Sequence, residues 1–194
     1  MAGKRESNFF NMVSTLLVIS VVSAVALGSV YNLTKGPIEL ARQKKQEEAI
    51  KMVLPEFDSI AIQKVLSAHE ADSLQFNVAF KASEMVGVAV NTFTNKGFGG
   101  TIKLMVGFLP DGTINKISVL DHKETPGLGD KMQESKSDFP KQFASKNPEN
   151  FTLKVKKDGG PVDAITAATI SSRAYLDAVQ RAFDTFKQNN GGTK

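Results

Sequence analysis

The chain has 194 residues, 41% hydrophobic and 23% charged, with a formal net charge of +4, a globular and mildly basic composition. It contains no cysteine and only two histidines, His69 and His122, which excludes disulfides, thiolate catalysis and cysteine-held zinc or iron–sulfur clusters and leaves too few ligands for a histidine-rich metal site or a bis-histidine haem. The lysines and arginines are scattered, without a basic block interleaved with aromatics, so no nucleic-acid partner is expected, and any redox chemistry must be carried by an organic cofactor.

No charged residue occurs between Glu6 and Lys35. The apolar heart of this run, Met12 to Tyr31, is about 20 residues long, and at about 1.5 Å per residue it spans a hydrocarbon core of ~30 Å. Its length favours an uncleaved membrane anchor over a secretory signal, although Ala24 and Ala26 form an A-x-A cleavage pattern. Lys4 and Arg5 on the near flank place the amino terminus in the cytoplasm. The wider count, with Lys35, Arg42, Lys44 and Lys45 beyond the run, argues the other way.

From Pro37 to Leu54 the sequence predicts a helix, with proline in its first turn and Pro55 ending it. Arg42 to Glu48 is polar on all sides and reads as a solvated stalk. Ala49, Ile50, Val53 and Leu54 are apolar at helical spacing and should dock on the following domain. Strand patterns then follow in "FNVAFKA", "MVGVAVNTFT", "TIKLMVGFL" and "INKISVLDH", the middle pair separated by "NKGFGG" and the last pair by the turn "PDGT". "SDFPKQFASK" reads as a short helix and "FTLKVKK" as one more strand. In the last helix Tyr175, Ala178, Val179, Ala182, Phe183 and Phe186 form one apolar face, with Arg173, Asp177, Arg181 and Asp184 on the other. The fold class is α+β: an antiparallel sheet packed with helices, preceded by one N-terminal transmembrane helix. The expected organisation is a membrane anchor over 1–34, a juxtamembrane helix over 35–55 and an extracytoplasmic domain over 56–194.

Two loops carry more chemistry than connection requires. In "DHKETPGLGDK", Asp121 to Lys131, Gly127 and Gly129 supply positive φ and Pro126 fixes the entry of a plain turn. Alternatively, the loop's backbone approaches a ligand, with His122, Lys123, Glu124 and Lys131 adding charge. In "DAITAATISS", Asp163 to Ser172, the bland reading is a redundantly capped helix start served by Asp163, Thr166 or Thr169. It leaves Ala164, Ala167 and Ala168 unexplained. Small side chains beside the free N–H groups and positive dipole end of a helix make an anion site with space around it. A hydrolytic triad of Ser171 or Ser172 with His122 and an aspartate has no nucleophile elbow to support it. No catalytic residue and no metal ligand is assigned.

"DAITAATISS" resembles the flavinylation motif of FMN-binding domains, and "ETPGLGDK" and "KGFGGTIKLMVGF" resemble the other two recognisable blocks of that family. The blocks occur in family order behind one membrane anchor and cover most of Lys96 to Ser172. Within the family the chain most resembles the G subunits of Rnf electron-transport complexes. The related C subunits of sodium-pumping NADH:quinone reductases are an alternative, and a non-redox binding or assembly module is a second. The resemblance implies FMN joined through its phosphate to Thr169, with Asp163 at the acidic position and Thr166 at the Ser/Thr position of the motif. A separate magnesium-dependent flavin transferase, using FAD, would form the bond. Ala167 stands where glycine is commoner in the family; it is expected inside the first helical turn, where alanine is harmless.

The resemblance further implies that Ala168 and Ser171 border the cofactor and that Thr125 and Leu128 lie against its ring. Gly127 and Gly129 would shape that loop, with Glu124 and Lys131 beside it. Gly99 and Gly100 would let a strand end approach. Lys123, Lys131 and Arg173 are candidates to stabilise negative charge. The implied function is electron relay within a membrane complex resembling ferredoxin:NAD⁺ oxidoreductase, coupled to Na⁺ or H⁺ translocation. The other subunits would be its partners, and the domain would lie on the extracytoplasmic side of a bacterial inner membrane.

Overall fold

The computed structural model describes residues 8–68 and 72–190; His69, Lys4 and Arg5 lie outside the described residues. Contacts divide the chain into two compact units at Lys44/Lys45. The first contains most of helix α1, Phe9–Val53, whose apolar side chains are exposed throughout from Phe9 to Leu33. It is long and apolar enough to cross a membrane. An isolated water-soluble helix with such a surface would be costly at roughly 25 cal/mol per Å² of exposed apolar area.

The helix expected to start at Pro37 does not start there: α1 runs through Pro37 without a break. Proline removes one hydrogen bond and crowds the carbonyl four residues back, at about 3 kcal/mol. Helix on both sides propagates cooperatively and outweighs one such defect.

The second unit is built on a five-stranded antiparallel meander in the order β1-β2-β3-β4-β5: β1 Ser59–Leu66, β2 Ser73–Lys81, β3 Glu84–Gly97, β4 Gly100–Phe108 and β5 Ile114–Asp121. Strand β1, "SIAIQKVL", is not among the strands that the sequence pattern predicts, and its exposure shows why. Ile60, Ile62 and Leu66 stay exposed while Ala61 and Val65 turn partly inward, the reverse of the expected apolar-in pattern. The turn between β2 and β3 is made by Ala82 and Ser83, both at positive φ, where the favoured residues would be Asn and Gly.

The predicted strand "FTLKVKK" is also absent. Val155 makes one parallel bridge to Val162, and Lys156–Asp158 is a 3-10 turn. Leu153 and Val155 are buried alternately as in a strand, but their backbone bonds go to the adjacent loop, including Lys156 N–H to Val162 O and Gly160 N–H to Val155 O. The helix expected near Phe139 is a 3-10 helix, Phe139–Phe143.

Helix α2, Thr169–Asn190, covers one face of the sheet. Tyr175, Ala178, Val179, Ala182, Phe183 and Phe186 are all buried there, as their spacing predicts. Phe108 stacks on Phe186 at 5.0 Å, and Tyr175, Phe139 and Phe143 pack in a mutual triangle. Burial pushes the Tyr175 phenol well above its ordinary ionisation range. Arg181, placed on the polar side by spacing, is instead buried, with its guanidinium 4.7 Å from the Phe93 ring.

The end of α1 covers part of the sheet. Ala49, Ile50, Val53 and Leu54 pack on Ala79, Ala89 and Met105. The helix ends against the sheet because Asn115 Nδ2 donates to Val53 O at 2.8 Å and because Gly107 lets that carbonyl approach. A β-carbon on Gly107 would lie 2.0 Å from it. Gly107→Ala should therefore lift the end of α1 and destabilise the second unit by about 1–3 kcal/mol, the range for overpacking. Thermal melting of the full chain in detergent reads this as a lowered midpoint; an unchanged midpoint would rule out close packing here.

Candidate functional site

The site begins at the β3–β4 hairpin. Gly97 pairs with Gly100, so Phe98 and Gly99 form the two-residue tip. Gly100 has φ +108°, a conformation open to glycine and poor for other residues. The tip lies on the loop after β5: a β-carbon on Gly99 would fall 1.9 Å from Lys123 O. Phe98 is thereby held outward, 70% exposed.

The loop Asp121–Lys131 turns back on itself. Leu128 N–H donates to Thr125 O at 3.2 Å, and Gly127 sits at φ +78°. His122 supports the turn: its Nδ1 accepts from Glu124 N–H at 3.2 Å and its Nε2 meets the Gln133 amide. Glu124 is 5% exposed. Its Oε1 accepts from Gly99 N–H at 2.9 Å and its Oε2 from Ser171 Oγ at 2.5 Å. A β-carbon on Gly97 or Gly129 would come within 2.7 Å of this carboxylate. Two glycines thus make room for one buried side chain that joins hairpin, loop and helix.

The start of α2 uses none of the three caps expected for it. Ser172 Oγ accepts from Ile165 N–H at 2.9 Å and donates to Ala168 O. The Thr166 and Thr169 hydroxyls have no hydrogen-bond partner among the described residues. Asp163 faces away from the helix end. Its carboxylate pairs with Lys156 at 2.6 Å, and its backbone N–H and C=O are both held by the Gln142 amide.

The expectation that Ala167 lies in the first helical turn is overturned. Ala168 N–H donates to Ile165 O at 3.0 Å, closing a four-residue turn with Ala167 as its third residue. Ala167 has φ +59°, the left-handed conformation that a type II turn demands at that place and that glycine adopts without strain. The helix starts only at Thr169.

These elements enclose an open cleft of about 320 Å³, lined by Phe98, Glu124, Thr125, Leu128, Gly129, Ala167, Ala168, Thr169, Ile170 and Ser171. Eight of these ten were sequence candidates. Gly99 and Gly100 shape the wall from behind, and Gly127 bends the loop. Asp163, Thr166 and Lys131 are not brought into the cleft; they line a second groove of about 340 Å³ that shares no residue with the first. Of the proposed cations, Arg173 is taken by Asp158, whose carboxyl it holds below the usual range through a paired hydrogen bond. Lys123 contributes its backbone to the hairpin contact.

Phe98 and Ile170 were missed. An exposed aromatic flanked by glycines in "KGFGG" was the available signal for Phe98; Ile170 follows only from where α2 starts. Both are half exposed or more, as is much of Leu128 at 40%, so three apolar side chains from three segments edge the cleft. Thr169, partly exposed at the helix start, is one of the residues lining it. The arrangement suits a ligand with a flat apolar part and an anionic end.

The description FMN-binding domain belongs to the family model that matches residues 97–184, a span that contains every residue lining the cleft. Among curated proteins the chain is similar to the G subunit of the ion-translocating oxidoreductase complex of Vibrio atlanticus, 33% identical with 90% of each chain covered. It is also similar to the corresponding subunits of Cereibacter sphaeroides, 33% identical over 92% of this chain and 85% of the relative, and of Shewanella oneidensis, 34% over 90% and 88%.

Ala167→Gly should stabilise the fold by roughly 0.5–1 kcal/mol. Relief of left-handed strain, about 1–2 kcal/mol, exceeds the unfolded-chain entropy that glycine adds, about 0.4–1 kcal/mol. A higher melting midpoint of the variant is the expected result; a lower one would mean that Ala167 is unstrained.

Proposed function

Given that the chain belongs to the family of G subunits of ion-translocating oxidoreductase complexes, we propose that it is a single-pass, membrane-anchored flavoprotein subunit. In this reading it relays electrons through an FMN joined by a phosphoester to Thr169. The supporting observation is Thr169: partly exposed at the start of α2, on the wall of an apolar-edged cleft, with a hydroxyl unpartnered among the described residues. The residues fit the cofactor. Ala167 and Ala168 leave space beside Thr169. The amides opening α2 lack intrahelical acceptors, as in any helix, and favour the negative charge that a phosphodiester keeps. Phe98, Leu128 and Ile170 offer apolar contact for a ring system. FMN would supply the exchange of electrons one or two at a time; the chain's residues bind, orient and shield it, without turning over a substrate of their own.

Attachment follows from the same hydroxyl. A magnesium-dependent flavin transferase would join Thr169 Oγ to the FMN phosphate of FAD, breaking the pyrophosphate and releasing AMP while the hydroxyl proton is lost. The remaining subunits of the complex are the proposed partners, with Na⁺ or H⁺ as the coupled ion. Family precedent and the near-flank charges Lys4 and Arg5 support a domain outside the cytoplasm, against the wider charge count. The proposed organisation keeps the anchor at 1–34, the juxtamembrane helix at 35–55 and the FMN-binding domain at 56–194.

Intact mass and peptide mapping of the chain from its native membrane, or co-expressed with a flavin transferase, test the reading. The expected result is a gain of one FMN less water on the peptide holding Thr169, lost in Thr169→Ala and kept in Thr166→Ala. An unmodified Thr169 beside a transferase active on a control substrate would overturn it.

A further inference from the structure

Ten residues line the cleft, and Glu124 alone among them carries a charge. Of the three cations that the sequence offered for this place, Arg173 is bound to Asp158 and Lys131 lines the other groove, and Lys123 meets the hairpin through its backbone without lining the cleft. Glu124 is 5% exposed, and each of its side-chain oxygens is held in place by a hydrogen bond, one from Gly99 N–H and one with Ser171 Oγ. The side chain is therefore fixed in the cleft wall, where a carboxylate acts on whatever the cleft holds. Gly97 and Gly129 lack the β-carbons that would strike it.

We propose that Glu124 is a positioning and potential-setting residue: it holds hairpin, loop and helix around the cleft, and its negative charge lowers the midpoint potential of the flavin bound there. The physical reason is the sign of the charge. Reduction places electrons in the cleft, and a fixed anion in its wall opposes them. A low-potential carrier can accept electrons only from a donor that is itself strongly reducing, so the charge selects the class of donor from which this flavin is reduced. The inference rests on the flavoprotein reading above and deepens it.

The test is a spectroscopic redox titration of the flavin-loaded full chain at one fixed pH, comparing wild type, Glu124→Gln and Glu124→Asp. Glutamine has the shape of glutamate and can satisfy both partners, accepting from Gly99 N–H and donating to a rotated Ser171 hydroxyl. It removes only the charge. Aspartate keeps the charge and is too short to hold both partners.

The expected result is a positive shift in Glu124→Gln, by roughly tenfold or more in the reduction equilibrium, with Glu124→Asp remaining near wild type. No shift in Glu124→Gln overturns the proposal. A rise in Glu124→Asp equal to that in Glu124→Gln also overturns it, because geometry and not charge would then set the potential. If Glu124→Gln does not fold, Glu124→Ala takes its place beside Glu124→Asp: a positive shift in Glu124→Ala alone supports the charge assignment, and no shift, or an equal shift in both, refutes it. A wild-type chain that takes no flavin removes the flavoprotein reading and this inference together; a flavin that is present and indifferent to Glu124 removes this inference alone.

Discussion

One buried carboxylate organises the site. Glu124 accepts from the backbone of the β3–β4 tip with one oxygen and from the first turn of α2 with the other, so three segments distant in sequence meet on one side chain. Leaving either donor unpaired in a buried place would cost about 1–3 kcal/mol, enough to explain why the surrounding chain is built to admit Glu124. Gly97 and Gly129 are small where the carboxylate passes, and Gly99 is small where the tip lies on Lys123. The cleft is what remains between three elements drawn together at this point.

The helix beside it provides the contrast. Most helix starts are closed by a side-chain oxygen. Here Ser171 and Ser172, the hydroxyls that do bond, turn toward Glu124 and toward the Ile165 and Ala168 backbone. Thr169 is left with an open hydroxyl. The turn that precedes it holds Ala167 in a left-handed conformation, a strain that serves to end one direction of chain and begin the helix axis abruptly. Space, a hydroxyl without a partner among the described residues and the positive end of a long helix therefore coincide at one residue. The helix stays anchored by its other face, where Tyr175, Phe183 and Phe186 are buried against the sheet and its neighbours.

The two faces of the sheet divide the labour. Helix α2 and the 3-10 segment near Phe139 form the larger core with one face, and the start of α2 carries one wall of the site. The end of α1 makes a smaller, separate cluster with Ala79, Ala89 and Met105. Gly107 and Asn115 fix that second contact through the same carbonyl, Val53 O.

By itself the sequence determined what depends on local pattern. The uncharged run of α1, the alternation of β2 to β5 and the apolar face of α2 each reflect a periodicity that burial imposes, and all were legible. Thr169 and the "ETPGLG" loop also stood out, because clustered hydroxyls, alanines and glycines are locally improbable without a reason, and the two do meet on one cleft. Tertiary structure decided the rest. Strand β1 pairs although its apolar residues face outward, because β2 offers an open edge; "FTLKVKK" does not pair, because its amides are spent on the next loop. Ala167 is left-handed because a turn must close before α2 can begin. Asp163 and Lys131, near Thr169 in motif or in charge, fall into another groove, and Phe98 reaches the cleft from a hairpin more than 70 residues away. The sign of the charge in the cleft also belongs here. Composition offers 24 lysines and arginines against 20 acids, and only the meeting of a hairpin, a loop and a helix brings a glutamate to that wall.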